Sequence, residues 1–227
     1  MFPRHFANKC MLTCCVCRVM KTLSLFKKLS HHGRVTTRST SLLAGIGMST
    51  ASMALQRLAD EGLVTRIKPG AWLVGPAATK PGALVAAAAQ PYEAYLSGWS
   101  ALRHHGRIQQ FPETHFGVTL GRPAELKVAG MVIRLHHIKP ALFAGYEYDS
   151  TVEGLVASPE KALFDLAYFS AMNRRPLSGS LPETDLKGFR WSKLQDWLRR
   201  IPSLSIRTAV EQRLRKLREQ HAGADES

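Results

Sequence analysis

The spacing of apolar residues in the first third of the chain predicts three helices. Apolar side chains recur at helical spacing over residues 23–29, which predicts a first helix. A short second helix is expected next, with Thr37 as its N-cap because a hydroxyl can accept a hydrogen bond from the first turn. The third helix is expected to be capped by Ser49 and to end before Gly62, which suits the position that follows a helix.

The residues after these helices predict a β-hairpin. Residues 63–67 and 71–74 are two short apolar stretches, and Lys68-Pro69-Gly70 separates them. Proline followed by glycine at the centre of a turn suits type II geometry. Three helices followed by a hairpin is the element order of a winged helix-turn-helix, which we therefore assign to residues 20–75.

The third helix divides into an apolar face and a polar face. Its apolar face, which we expect in the core, consists of Ala51, Ala54, Leu55 and Leu58. The polar face offers hydroxyls, an amide and a guanidinium, which are groups that hydrogen-bond to base edges in the major groove. The predicted DNA-binding residues of the module are Arg38, Ser49, Thr50, Ser52, Met53, Gln56, Arg57, Arg66 and Lys68. The alternatives are a face that only contacts solvent and a surface for protein contacts.

The charge of the chain is unevenly distributed. Lys and Arg number 31 against 17 Asp and Glu, a net charge of +14. Residues 1–80 have a net charge of +10, residues 81–170 of −1 and residues 171–227 of +5. This excess favours a polyanionic partner, and together with the element order it predicts binding of double-stranded DNA. No run of about 18 apolar residues is present, so no membrane contact is expected.

All four cysteines lie within the first seventeen residues, at Cys10, Cys14, Cys15 and Cys17. The rest of the chain has none, which predicts a cytoplasmic protein without disulfides. A zinc site would usually need a second pair of ligands further along the chain, so we expect no metal and no cofactor. The apolar patch before Met20 is a poor signal peptide. We therefore treat residues 1–19 as a leader that is non-native or disordered.

The rest of the chain predicts a second module with both helices and strands. Residues 76–91 are rich in Gly, Pro and Ala and are assigned to a linker. A mixed α/β domain is expected over residues 92–221, with a disordered tail over residues 222–227. Its predicted strands end at residue 96 and span residues 114–120, 131–138 and 152–157. Its predicted helices span residues 97–106, 158–172, 191–200 and 206–221. The whole chain is thus predicted to be α+β.

Three segments of the chain resemble a known family. They are residues 47–63 with the Pro69-Gly70 turn, residues 95–102 with His105-Gly106, and residues 157–165. The first is general to winged helices, whereas the second and third, in this order behind such a module, are more specific. On these segments the chain resembles the AbiEi antitoxins of type IV, abortive-infection toxin–antitoxin systems. The resemblance extends from about Met20 to Ala171.

The resemblance implies a protein with two activities. The N-terminal domain would bind inverted repeats in the promoter of its own operon and repress transcription. The C-terminal, antitoxin-like domain would counteract a nucleotidyltransferase toxin encoded beside it, as a defence against phage. A direct complex with that toxin is not required. Trp99, His105 and Arg107 are the candidate antitoxin surface, because they lie at the end of a family-like helix.

Two alternatives to a repressor and antitoxin remain open. A stand-alone winged-helix regulator would use the same DNA face and would release DNA when a small molecule fills the second module. A metal-dependent nuclease would use Pro112-Glu113 with Glu125 and Lys127 to hold Mg²⁺ and orient water. Adjacent histidines, such as His104-His105 and His136-His137, do not face the same side of a helix or strand, so each pair is a poor chelate for a metal. We therefore expect no catalytic residue and a protein that is not an enzyme.

Overall fold

The chain folds into two units, with the boundary between residues 79 and 80. A computed structural model describes the following residues: 23–75, 80–110, 114–128, 130–174 and 184–222. The predicted leader over 1–19 lies outside these residues, and so does the tail apart from Ala222. Helices and strands occur in both units, so the predicted α+β class is confirmed. Among the described residues, no helix is both long enough and apolar enough to cross a bilayer.

The first unit contains three helical segments and a three-stranded antiparallel sheet. Its elements are α1 (residues 23–29), β1 (Arg34–Thr36), α2 (Thr37–Ala44), α3 (Met48–Asp60), β2 (Val64–Lys68) and β3 (Ala71–Val74). The strands lie in the order β1-β3-β2. The predicted helices and hairpin are therefore confirmed as elements. Gly70 in the hairpin turn has a φ of 78°, a left-handed conformation that favours glycine.

The core of the first unit is formed by apolar side chains from α1, α3 and all three strands. The buried cluster consists of Leu25, Leu29, Val35, Leu55, Leu58, Val64, Trp72 and Val74. Ala51 is also fully buried, whereas Ala54 is only half-buried. Each fully buried side chain of this size contributes about 1.5–3 kcal/mol through removal of apolar surface from water. The apolar face predicted for α3 is therefore confirmed in its central positions.

Two predicted helix caps are wrong by one or two residues. Thr36, not Thr37, caps α2: the N–H of Ser39 donates to its Oγ1 (3.0 Å), and its own N–H donates to Ser39 Oγ (2.8 Å). Strand β1 runs up to Thr36 and leaves it extended, so its side chain can turn back over the first turn. Gly47, not Ser49, is the N-cap of α3, which places Ser49 inside the first turn.

The second unit is built on a six-stranded mixed sheet. Its strands are β4 (Ala94–Leu96), β5 (Thr114–Thr119), β6 (Ala124–Val128), β7 (Met131–His137), β8 (Tyr146–Asp149) and β9 (Gly154–Ala157). They lie in the order β6-β7-β5-β4-β9-β8. The pairs β4–β9 and β5–β7 are parallel and the others antiparallel. Its helices are α4 (Pro81–Ala89), α5 (Gly98–His104), α6 (Pro159–Met172), α7 (Ser192–Arg199) and α8 (Leu204–Ala222).

The linker predicted over residues 76–91 is wrong for most of its length. Residues 76–79 lie outside the described part of the chain, but α4 occupies Pro81–Ala89 and seven of its nine residues are buried. A Cβ on Gly82 would lie 2.6 Å from the carbonyl oxygen of Val152, so only glycine permits this close packing. The helix is apolar on all sides because it is enclosed, and it therefore belongs to the second unit.

Helix α6 is the central helix of the second unit. Ser158 caps it, with its Oγ accepting from the N–H of Lys161 (3.2 Å), as the Ser-Pro-Glu sequence predicts. Leu163, Leu166 and Ala167 are buried as expected. Helix α8 packs against α6, and its predicted apolar face, Val210, Leu214 and Leu217, is buried.

Strands β6 and β8 are absent from the sequence prediction. They are the two edges of the sheet, and most of their side chains are exposed or half-buried. Glu125 lies within β6 opposite Arg134 of β7. A solvent-facing edge strand does not need the apolar alternation by which strands are recognised in a sequence.

Candidate nucleic-acid interface

The outward side of α3 presents the predicted base-reading residues to solvent. Ser49, Thr50, Ser52, Met53, Gln56 and Arg57 are all exposed. Gln56 Nε2 donates to Asp60 Oδ1 (3.1 Å), one helical turn away on the same side. This contact holds the Gln56 amide beside Asp60 while the side chain stays exposed. The structure thus brings six of the nine predicted DNA contacts onto one helix face.

The dimensions and the N-terminus of α3 suit a nucleic-acid groove. The helix has 13 residues and is therefore about 20 Å long, and a major groove about 12 Å wide admits one helix. Its N-cap, Gly47, has no side chain, and no side chain caps the first turn. The N–H groups of that turn, together with the helix dipole, therefore offer a binding position for a phosphate.

The hairpin adds cationic side chains beside that helix. The Arg66 guanidinium lies over the Trp72 ring, 5.6 Å from its centroid, which restricts its motion while leaving it exposed. Burial lowers the pKa of Lys68, which is half-buried. Trp72 Nε1 donates to Thr37 Oγ1 (3.2 Å), so the hairpin is bonded to the start of α2.

The net charge of the described first unit is strongly positive. Residues 23–75 contain seven Lys and Arg and two acidic residues, a net charge of +5. Arg38, the predicted backbone contact, is exposed in the first turn of α2. The sequence prediction did not include Lys27, Lys28 and Arg34, which are also exposed. Their signal was the local excess of basic residues, which does not single out individual positions.

The three residues predicted as an antitoxin surface serve different contacts in the second unit. Trp99 is half-buried on α5. His105 Nε2 donates to the carbonyl oxygen of Ala157 (2.8 Å). Arg107 Nη1 donates to the carbonyl oxygen of Lys187 (2.8 Å) and lies 3.8 Å from Asp185 Oδ2. Arg107 therefore holds the segment before α7, and of the three only His105 lines the groove described next.

A groove of about 630 Å³ lies between β8, the start of α6 and helix α7. Its walls contain aromatic, basic and acidic side chains from segments far apart in the sequence. Hydrogen bonds from Thr151 and His104 lower the pKa of Asp149, one of its acidic groups, to about 2. A second acidic group, Glu160, is buried and accepts from Arg190 Nε (3.2 Å).

A fully buried polar cluster lies under the groove. Lys161 Nζ and Asp165 Oδ1 form an ion pair one turn apart on α6. Ser97 Oγ and Tyr95 Oη donate to Asp165 Oδ2 (2.7 and 3.0 Å). The ammonium of Lys161 also lies 5.0–5.7 Å from the ring centroids of Tyr95, Phe164 and Trp197.

Burial controls the titration of this cluster. It lowers the pKa of Lys161, although Asp165 opposes the shift, and it raises the pKa of Tyr95 well above its usual value. Each group is bonded to a neighbour within the cluster and is closed to solvent. Segments 95–102 and 157–165 thus meet in a cluster that a ligand cannot reach.

Glu125, one of the residues considered for nuclease chemistry, forms an ion pair with Arg134. Arg134 donates through Nε and Nη2 to Glu125 Oε2 (2.9 and 2.7 Å) across the strand pair. Pro112-Glu113 lies outside the described residues. Within the described ranges, no three His, Cys, Asp or Glu side chains gather in a geometry for a metal ion.

No protein-family model matches this chain, and a search of curated proteins finds no match either.

Proposed function

We propose that this protein is a DNA-binding transcriptional repressor whose first unit acts as a winged helix-turn-helix. Helix α3 would enter the major groove of double-stranded DNA, and the β2–β3 hairpin would contact the adjacent backbone. The observation that carries this proposal is the outward side of α3, where hydroxyl, amide and guanidinium groups are exposed together. The net charge of +5 in residues 23–75 supports a polyanionic partner.

The role of each residue follows from its position. Ser49 and Thr50, in the first turn of α3, would contact a phosphate or a nearby base edge. Gln56 and Arg57 would hydrogen-bond to bases, and the exposed Met53 would contact a thymine methyl group. Arg38, Arg66 and Lys68 would bind phosphates and fix the register of the helix on the duplex.

We further propose that the protein is the antitoxin of a type IV toxin–antitoxin system and represses its own operon at inverted repeats. This part depends on the AbiEi-like segments, of which the second and third lie in the second unit. That unit would counteract a nucleotidyltransferase encoded beside the gene. Its buried cluster of Lys161, Asp165, Tyr95 and Ser97 would be a structural requirement of this activity and not the active surface.

The DNA proposal is tested by titrating the full chain onto the fragment upstream of its own gene at several salt concentrations. Specific binding should survive competitor DNA, and log affinity should fall linearly with log salt because phosphate contacts release counterions. The variant Gln56→Ala/Arg57→Ala should bind this fragment at least about tenfold more weakly, since each base contact contributes roughly 1–3 kcal/mol.

A matched control is the variant Gln195→Ala/Arg199→Ala. It also removes one exposed amide and one exposed guanidinium, but from α7 in the second unit. This variant should bind like the unmodified chain. Equal binding of all DNA sequences, unaffected by either double substitution, would contradict the proposal and leave only non-specific attraction between charges.

The antitoxin proposal is tested by co-expression with the neighbouring nucleotidyltransferase gene. Growth should be restored by the full chain and equally by Gln56→Ala/Arg57→Ala, because the second unit is expected to counteract the toxin. A neighbouring gene of another kind, or growth arrest that the chain does not relieve, would contradict this part. The result is independent of the DNA-binding assay, so the two proposals can fail separately.

A further inference from the structure

The groove of the second unit has the size of a small-molecule site. Its volume of about 630 Å³ falls within the range of about 300–1,000 Å³ that ligand sites occupy. The described residues that line it run from His105 to Arg200 and belong to the second unit. Lys161 and Asp165 of the buried cluster are not among them.

The first polar feature of the groove is a buried acceptor without a partner. Glu160 lines the groove and is 4% exposed. Its Oε1 accepts from Arg190, but its Oε2 has no hydrogen-bond partner among the described residues. Burial alone would raise the pKa of Glu160, but its own backbone N–H, Arg190 and Lys193 together lower it, so the group is ionised. A buried ionised oxygen in a groove favours a ligand that donates a hydrogen bond to it.

The second feature is a pair of available cations on the α7 side. Lys193 is half-buried and Arg200 is exposed, and neither forms an ion pair within 4 Å of a described acidic group. The acidic residues nearby are already engaged, since Asp196 accepts from Arg199 (2.6 Å) and Asp149 accepts from His104 (2.8 Å). Glu147 is the exposed carboxylate that remains. Lys193 and Arg200 can therefore bind an anionic group of a ligand.

The third feature is an aromatic wall. Tyr148 lines the groove and is 68% exposed. Tyr146 also lines the groove and is fixed by stacking on Tyr95, with ring centroids 4.7 Å apart. The exposed ring of Tyr148 offers a face on which a planar group can stack.

We propose that this groove binds a nucleoside 5′-monophosphate. The phosphate would bind Lys193 and Arg200, the base would stack on Tyr148, and a sugar hydroxyl or base amine would donate to Glu160 Oε2. A bare phosphate would use neither the ring nor the acceptor. A nucleoside would leave both cations without an anion. Only a ligand with all three parts uses all three features.

The test is isothermal titration calorimetry of the full chain, without DNA, against each of the four ribonucleoside 5′-monophosphates. We expect at least one to bind with a Kd below about 1 mM. The corresponding nucleoside and ribose 5-phosphate should each bind at least about tenfold more weakly, because each lacks one of the three contacts. The assay contains no DNA, so its result does not depend on the proposed repressor function.

Two variants and one control assign the binding to the groove. Lys193→Ala/Arg200→Ala should weaken binding by about tenfold or more, and Tyr148→Ala by about fivefold or more. Both variants change exposed or half-buried side chains, so they should fold. The control Arg215→Ala/Lys216→Ala also removes one Arg and one Lys, but from exposed positions of α8 that do not line the groove. It should bind the nucleotide unchanged.

Three results would overturn the proposal. The first is that none of the four nucleotides binds at concentrations up to about 5 mM. The second is binding that both groove variants leave unchanged, which would place the nucleotide elsewhere. The third is inorganic phosphate binding as tightly as the best nucleotide, which would reduce the groove to a simple anion site.

Discussion

The two units use polar side chains in opposite ways. On α3, the hydroxyl, amide and guanidinium groups are exposed, and the helix is held by the apolar residues behind them. On α6, the ammonium of Lys161 and the carboxylate of Asp165 are both fully buried and bonded to neighbours. Polar groups are thus exposed to solvent in one unit and part of the core in the other.

This difference separates residues that can act on a partner from residues that only maintain the fold. A buried charge is costly unless it is paired and hydrogen-bonded, so removal of one member of the α6 cluster affects the free energy of unfolding. An exposed polar residue is hydrated in both the folded and unfolded states, so its removal hardly changes that free energy. Substitutions in the α6 cluster should therefore change stability, whereas substitutions on the exposed side of α3 should change DNA binding and hardly change stability.

The largest expected effect is that of Asp165→Ala. The substitution leaves Lys161 buried without its counter-ion and leaves Ser97 and Tyr95 without their acceptor. We expect the free energy of unfolding, measured by urea denaturation, to fall by about 3–5 kcal/mol. A loss below about 1 kcal/mol would contradict the structural role of the cluster.

The control for this substitution is Asp60→Ala on α3. Asp60 also contacts a side chain one turn away on its helix, through Gln56 (3.1 Å), but both groups are exposed. Its removal should change stability by no more than about 0.5 kcal/mol. The double variant Lys161→Met/Asp165→Leu should recover only the part of the loss that comes from the unpaired ammonium, because apolar groups of similar volume can replace a buried ion pair but Ser97 and Tyr95 still lack their acceptor.

A smaller effect is expected from pH through His136. Its ring stacks on Phe116 with centroids 4.1 Å apart, and its Nε2 has no partner among the described residues. Burial, and then Arg134, lowers the pKa of His136 from 6.5 to about 4. The unfolded chain therefore binds this proton between pH 6.5 and 4 while the folded chain does not, so stability should fall as the pH decreases through this range.

The loss from His136 should be about 1–2 kcal/mol by pH 4, after allowance for its partial exposure. Urea denaturation of the full chain at a series of pH values measures it. The variant His136→Phe keeps a ring between Phe116 and Phe169 and removes the titrating group. Between pH 6.5 and 4 this variant should lose about 1–2 kcal/mol less stability than the unmodified chain. An unchanged pH dependence would contradict the assignment of this effect to His136.

The sequence predicts most of the first unit because the relevant signals there are local. The buried positions of α3 recur at helical spacing, and the Pro69-Gly70 turn fixes the hairpin. The exposed face of α3 follows from the same spacing. The caps at Thr36 and Gly47 were missed because they depend on how far the preceding backbone stays extended, which tertiary contacts determine.

The sequence predicts less of the second unit because its decisive contacts are distant along the chain. Helix α4 was assigned to a linker, since its Ala-rich sequence lacks the polar face that marks an amphipathic helix. Asp165 meets residues of segment 95–97 that lie about seventy positions earlier. The groove likewise combines side chains from residue 105 to residue 200, which only the packing of α6 and α7 brings together.

The smallest effect on stability, and the most informative for function, is expected from Ser52→Ala. Ser52 is exposed in the middle of α3, and alanine is the better helix former, so stability should stay within about 0.5 kcal/mol or rise slightly. Loss of one hydrogen bond to DNA should weaken specific binding by roughly three- to tenfold.

The control is Thr36→Ala, in the same unit. It removes a hydroxyl that caps α2 and should cost about 1 kcal/mol of stability while leaving DNA affinity unchanged. If both substitutions instead change stability and neither changes DNA binding, the hydroxyls of α3 serve the fold like those of α2, and the distinction between the two units fails.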